Sequence, residues 1–247
     1  MMDIRKVFNQ LKAILAEVAE QRYGWTDNDT LETYNHETAL LRNVSPNHTA
    51  ALMHYSEKFA LHYIASHFPK KTTVVEIGSF LGGSAAIMAF ANPDISIVGI
   101  DAFDQKQHTL VEEQRAMIER VYGPGKTRSQ ENAQHWISSF ANNVTFVQAL
   151  SPNNCEQLDV VKNPIDVYFE DAVHVNPGLE KNINFWFPKV KPGGLILMHD
   201  YRPWMPPKLS MPPWRFKDVE NHLERLVETE QADMIGYVRG LAVLVKT

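Results

Sequence analysis

The chain has 247 residues, of which 44% are hydrophobic and 21% charged, the balance of an ordinary globular protein. Its formal net charge is −5 and its basic residues are scattered, which excludes the clustered positive charge that nucleic-acid or anionic-membrane binding requires. The single cysteine, Cys155, excludes an intrachain disulfide and gives no zinc motif, so we expect an inert thiol in a cytoplasmic protein without a membrane span.

In the N-terminal part of the chain, the spacing of apolar residues predicts helices and no strands. Apolar residues recur at helical spacing from Ile4 to Val18, which predicts an amphipathic helix that packs on the rest of the protein or in a homodimer. Ser45 is a suitable N-cap for a long helix that Pro69 ends. The predicted helices cover about 3–22, 36–43 and 45–68. We therefore expect a helical extension over residues 1–70 that serves as a lid or in oligomerisation.

From residue 72 the pattern alternates between strands and helices. Five apolar strands are predicted at 73–77, 95–100, 144–149, 165–169 and 195–199. Helices are predicted at 84–90, 107–122, 129–141, 154–161, 177–189 and 216–229. Two closing strands, 233–238 and 241–246, are separated only by Arg239-Gly240, a gap that permits only an antiparallel hairpin. Residues 71–247 are therefore predicted to form an α/β domain with a doubly wound, mainly parallel seven-stranded sheet.

A glycine-containing turn follows the first strand, in the run from Glu76 through Gly78, Phe80 and Gly82 to Ser84. Glycines at such a turn let the backbone approach a ligand, and the amides of the next helix face its anionic group. Phe80 stands where a dinucleotide fingerprint needs glycine, and no lysine follows Gly82 as a P-loop requires, so NAD and ATP are disfavoured. A ligand with a carboxylate and an amine suits this turn, because Glu76 offers negative charge near the amine.

The pattern acid-x-Gly-x-x-x-Gly from Glu76 to Gly82 resembles motif I of class I S-adenosylmethionine-dependent methyltransferases. Asp101 ends the second strand, where a carboxylate can accept both hydroxyls of a ribose. The resemblance implies a Rossmann-like methyltransferase fold with S-adenosyl-L-methionine as cofactor. The cofactor-binding residues it implies are Glu76, Gly78, Ser79, Phe80, Gly82, Ser84, Asp101, Ala102, Phe103 and Asp171.

Further segments are similar to O-methyltransferases of the macrocin O-methyltransferase type, which act on small molecules. These segments are Asp171-Ala172-Val173-His174, Lys191-Pro192-Gly193-Gly194 and His199-Asp200-Tyr201, and the resemblance covers roughly residues 72–201. It implies methylation of a small-molecule hydroxyl, with Asp171 and His174 as catalytic residues and His174 as general base. His199 precedes Asp200 and is interpreted as structural, with its side chain directed away from that residue.

Asp171 and Asp200 match two Mg²⁺ ligands of these relatives, and such a cation would lower the pKa of an acceptor hydroxyl. Tyr201 and Val173 stand where relatives carry further ligand types, so transfer with and without a metal both stay open. The proline- and tryptophan-rich segment 201–214 is predicted to be a lid or acceptor wall. The alternatives are N-methylation of a small molecule and a catalytically inactive cofactor-binding scaffold; Glu170-Asp171-Ala172-Val173 lacks the Asn/Asp-Pro-Pro-Tyr pattern typical of N-methyltransferases.

Overall fold

The computed structural model describes residues 2–22, 50–103, 112–201 and 216–247. Its helices are α1 (Ile4–Arg22), α2 (Tyr55–Ser66), α3 (Gly83–Ala91), α4 (Glu112–Tyr122), α5 (Gln130–Ile137), α6 (Gly178–Trp186) and α7 (Lys217–Glu228). Its strands are β1 (Thr73–Ile77), β2 (Ser96–Asp101), β3 (Val144–Gln148), β4 (Ile165–Glu170), β5 (Val190–Met198), β6 (Ala232–Val238) and β7 (Leu241–Lys246). The predicted helix over 36–43, the N-cap Ser45 and the predicted lid beyond Tyr201 lie outside the described residues.

The seven strands form one sheet in the order β3-β2-β1-β4-β5-β7-β6. The first five strands pair in parallel, and β7 pairs antiparallel with both β5 and β6. This confirms the predicted mainly parallel sheet with its closing hairpin. The strand order reverses between β1 and β4, so the carboxyl ends of these strands border a crevice in which ligands of open α/β sheets bind.

Both faces of the sheet are buried, which explains the continuous apolar runs of its strands. Neighbouring residues of one strand enter different cores, since successive side chains point to opposite faces. Val74 packs beneath α1, α2, α3 and α5, whereas Val75 packs beneath α6 and α7. Trp186 is completely buried in the second core.

Helices α1 and α2 pack directly on the sheet. Phe8 and Leu11 of α1 and Leu61 of α2 belong to the same hydrophobic core as Val74 and Val243. Burial of these side chains, at about 1.5–3 kcal/mol for each large apolar residue, fixes both helices against the strands. Helices α1 and α2 thereby become part of the framework that supports the sheet.

The structure corrects two predicted boundaries, and in place of the helix predicted over 154–161 it has only a 3₁₀ helix, Asp159–Lys162. Residues 50–54 are not α-helical, and α2 begins at Tyr55 with His54 as its N-cap, in a capping box with Glu57. The prediction of one continuous helix over 45–68 is therefore wrong within residues 50–54. The fifth strand is predicted to begin at residue 195, but β5 begins at Val190 and includes residues 192–194, where its register against β4 is irregular. No helix of the described residues is both long and apolar enough to cross a membrane.

Candidate functional site

The glycine turn between β1 and α3 has the backbone conformation that its sequence predicts. Gly78 and Gly82 both have positive φ, at 93° and 83°. A Cβ on Gly78 would lie 2.5 Å from the backbone oxygen of Asp171, and a Cβ on Gly82 would lie 2.5 Å from the Phe146 ring. Glycine is thus required twice, both for its conformation and for close packing.

Glu76 lies beneath this turn with no exposed surface. Its carboxylate accepts hydrogen bonds from the hydroxyls of Ser79, at 2.6 Å, and Ser84. Burial raises the pKa of Glu76 to about 7, although the two serine hydroxyls favour its charged form. Glu76, which is predicted to lie near a ligand amine, therefore connects the two ends of the turn through Ser79 and Ser84.

Asp101, at the end of β2, faces the turn. One carboxylate oxygen accepts the Phe80 amide at 2.9 Å, and the other accepts the Phe103 amide at 2.7 Å. The guanidinium of Arg128 forms an ion pair with the second oxygen and lies 5.1 Å above the Phe80 ring. Arg128 precedes α5 in a polar stretch, and no pattern in that stretch indicates an ion pair with Asp101.

The backbone after β4 is held in register with the turn. The Asp171 amide donates to the Ile77 oxygen at 2.8 Å, so the sheet continues one step past the strand. Glu170 then accepts the Ala172 and Val173 amides, at 3.1 and 3.3 Å, which bends the chain toward His174. Burial raises the pKa of Glu170 to about 7.

Asp171, His174 and Asp200 form one cluster at the ends of β4 and β5. Each offers one ligand atom, and these atoms lie within 4.8 Å of one another. The Nε2 of His174 is 3.3 Å from the Asp200 carboxylate, and all three side chains are about one-fifth exposed. Two carboxylates and an imidazole suit a divalent cation, with water or substrate oxygens as the remaining ligands.

His199 contradicts its interpretation as a residue directed away from the site. Its Nδ1 is 2.8 Å from Asp171 and 3.7 Å from Asp200, and its Nε2 is 3.2 Å from Glu57 of α2. The backbone at Asp200 turns to a φ of 60°, which breaks the strand alternation on which the prediction depended. Burial opposes the charged imidazole, but Asp171 and Glu57 outweigh it and raise the His199 pKa well above its usual value.

These elements enclose a cavity of about 490 Å³, a volume within the range of small-molecule sites. Nine predicted site residues line it, namely Gly78, Ser79, Phe80, Ser84, Asp101, Ala102, Asp171, His174 and Asp200. The other three lie behind the wall: Glu76 and Gly82 within the turn, and Phe103 buried edge-to-face against Phe146. The wall also includes residues that the sequence did not indicate, among them Ala50–Met53, Arg128, Ala149–Ser151, Asn182 and His199.

Residues 75–201, about half of the chain, match the sequence profile of a family described as a methyltransferase domain. The chain belongs to this methyltransferase family. The match begins in β1 and ends at Tyr201, so it contains the glycine turn, Asp101 and the Asp171–His174–Asp200 cluster.

The chain is 27% identical over 160 residues to the uncharacterized protein R132 of Acanthamoeba polyphaga mimivirus, a match that spans 62% of the chain and 65% of that protein. A Staphylococcus aureus protein solved as a candidate caffeoyl-CoA O-methyltransferase is 17% identical, with a TM-score of 0.54 over 96% of this chain and 99% of that one. An O-methyltransferase from Bacillus cereus, in complex with SAH, is 15% identical, with a TM-score of 0.50 over 96% and 100% of the two chains. The two solved structures confirm the fold.

Proposed function

We propose that this methyltransferase transfers a methyl group from S-adenosyl-L-methionine to a hydroxyl of a small molecule. One observation carries the proposal: the glycine turn, Asp101 and the Asp171–His174–Asp200 cluster line the same cavity. A cofactor bound at the glycine turn and an acceptor bound at the cluster would therefore lie next to each other in this cavity. The B. cereus O-methyltransferase, which shares the fold and was solved with SAH, supports this choice of cofactor.

The residues of the cavity fit a sulfonium nucleoside. Asp101 lines the cavity together with Gly78 and Ser79, where its carboxylate would accept ribose hydroxyls. The backbone amides at the start of α3 suit the carboxylate of the amino-acid end. Glu76 acts from beneath, where it holds Ser79 and Ser84 in place. Ala102 and Leu150 supply apolar surface beside the strand ends for the adenine ring of the cofactor.

Methyl transfer is an in-line displacement, in which the acceptor oxygen forms a bond to the methyl carbon as the bond from sulfur to carbon breaks. The bound cofactor supplies the electrophilic methyl group. His174 takes the proton that the acceptor hydroxyl loses, at Nδ1, because Nε2 faces Asp200. Asp200 orients the imidazole and stabilises its positive charge, while Asp171 directs the hydroxyl toward the methyl group.

Asp171 and Asp200 would also hold a divalent cation, and His174 completes a third position of the same cluster. Such an ion would lower the pKa of an acceptor hydroxyl and orient it. When His174 binds the ion it is not free to act as base, so the two uses of this imidazole are alternatives. Removal of divalent ions with a chelator distinguishes them, because only the metal-assisted route loses turnover.

Transfer of a labelled methyl group to a panel of phenolic, sugar and amine acceptors tests the proposed function. His174→Ala should lower turnover by about 10²–10⁴-fold, because the substitution removes general base catalysis. His135→Ala is the matched control, because His135 is exposed on α5 and far from the cluster in sequence. Products only from amine acceptors would show N-methylation instead, and no product from any acceptor would favour a binding scaffold.

A further inference from the structure

Three ionisable side chains form a continuous connection from the N-terminal helix α2 to the reaction site. Glu57 contacts the Nε2 of His199 at 3.2 Å, and the Nδ1 of His199 contacts Asp171 at 2.8 Å. Glu57 and His199 are buried, at 5% and 7% exposure; His199 and Asp171 line the cavity, whereas Glu57 lies behind it. The connection therefore begins inside the protein, behind the site, and ends on a residue of the proposed reaction centre.

The far end of this connection is rigid. One oxygen of Glu57 accepts the Gly240 amide at 2.7 Å, and the other accepts the His54 amide, also at 2.7 Å. The first bond fixes Glu57 to the turn between β6 and β7, and the second is the capping box of α2. Two backbone amides from separate parts of the fold thus fix the Glu57 carboxylate. The carboxylate in turn fixes the position of the His199 ring.

His199 has no freedom to rotate without a loss of contacts. Each of its ring nitrogens faces a carboxylate, so both nitrogens act as donors and neither can exchange partners in the buried surroundings. A flip of the ring would break both contacts and leave the Glu57 and Asp171 carboxylates without their imidazole partner, at a large cost in free energy. One oxygen of Asp171 is consequently held in a single position.

We propose that Glu57 and His199 are positioning residues that fix Asp171 for the reaction site. A buried ion pair is weak evidence for a stabilising role, because apolar residues of equal volume often stabilise a fold as well or better. A side chain that donates a hydrogen bond to a metal- or substrate-binding carboxylate has a different role, because it holds the orientation of that carboxylate. The inference deepens the proposed function and rests on it. It assigns part of the site's geometry to α2, outside the segment that matches the family.

Two substitutions at His199 separate its two contacts. The amide of Asn lies near the position of Nδ1, so His199→Asn keeps a donor for Asp171 and loses the contact with Glu57. The amide of Gln reaches toward the position of Nε2, so His199→Gln keeps the Glu57 contact and loses the donor for Asp171. Both variants lose the same ring, which makes each the control for the other in folding and packing.

The probe is Mn²⁺, titrated into the full chain and followed by electron paramagnetic resonance, with SAH affinity and thermal unfolding measured alongside. His199→Gln should weaken Mn²⁺ binding by about 10–100-fold, the usual effect of losing an outer partner, and His199→Asn should weaken it much less. Glu57→Gln should weaken it by about tenfold as well, since Glu57 lies behind the wall and acts only through His199. SAH affinity should stay close to that of the wild type in all three variants.

Equal Mn²⁺ affinity in the two His199 variants would overturn the proposal, as would wild-type affinity in Glu57→Gln. Absence of Mn²⁺ binding in the wild type would overturn it too, because Asp171 would then have no cation to hold. The proposed function fails by a different result, the absence of SAH binding in the wild type. Wild-type SAH binding together with equal variants therefore refutes the positioning role alone.

Discussion

Replacement of Glu76 by Gln tests the structure of the glycine turn through its pH dependence. Burial raises the pKa of Glu76 from 4.5 to about 7 in the folded protein. At about 1.4 kcal/mol per pKa unit, that rise corresponds to about 3 kcal/mol between the two protonation states. Since the folded pKa is above the unfolded one, this contribution to stability is fully present below pH 4.5 and is lost as pH rises through 7.

Glu76→Gln carries a side chain that stays neutral at every pH and has nearly the same shape as protonated glutamate. Its amide oxygen can accept from one serine, and its amino group can donate to the other, whose hydroxyl also accepts. The wild type should therefore lose stability relative to the variant by about 2.5 kcal/mol between pH 5 and pH 8. Urea unfolding at four pH values across this interval measures the difference in the free energy of unfolding.

Glu228→Gln, at the exposed end of α7, is the control and should follow the pH dependence of the wild type. The reasoning is refuted if Glu76→Gln also runs parallel to the wild type. That result would mean that the carboxylate is solvated and ionised throughout, which is incompatible with a residue enclosed beneath the turn.

Two substitutions test the framework around the site. Leu61→Ala removes a completely buried side chain of α2 and should lower the free energy of unfolding by about 2–5 kcal/mol in urea titrations; a loss below about 1 kcal/mol would show that α2 is not part of the core. Gly78→Ala forces a Cβ to within 2.5 Å of the Asp171 backbone at a positive φ, so it should both destabilise the protein and abolish SAH binding by calorimetry. Wild-type SAH affinity in Gly78→Ala would show that the turn does not border the ligand.

The sheet was largely predictable because its strands carry strong local signals. Buried parallel strands appear as continuous apolar runs, and the two-residue gap at Arg239-Gly240 permits only a hairpin. The predicted start of the fifth strand at residue 195 was wrong because a Pro-Gly-Gly run is typical of turns, whereas β5 begins at Val190 and contains this run at an irregularity in its register with β4. The continuous helix predicted over 45–68 was wrong within residues 50–54, because the helical spacing of the sequence does not show that α2 begins at Tyr55 with His54 as its N-cap.

The site was predictable where its residues follow strand ends. Asp101, Asp171 and Asp200 each end or follow a parallel strand, so the topology alone brings them to one edge of the sheet. Arg128 and Glu57 gave no such signal, because their contacts with Asp101 and His199 join distant parts of the chain. A pattern of local spacing does not contain pairings that only the folded chain creates.

Titration of the wild type with SAH by isothermal calorimetry, repeated with Asp101→Asn, tests the central claim most directly. The claim is that a sulfonium nucleoside binds across the glycine turn with its ribose at Asp101. We expect saturable binding with one site per chain in the wild type and an affinity at least about tenfold lower in Asp101→Asn, because hydrogen bonds to a charged acceptor contribute about 1.5–3 kcal/mol. No binding by the wild type, or equal binding by both proteins, would contradict the account.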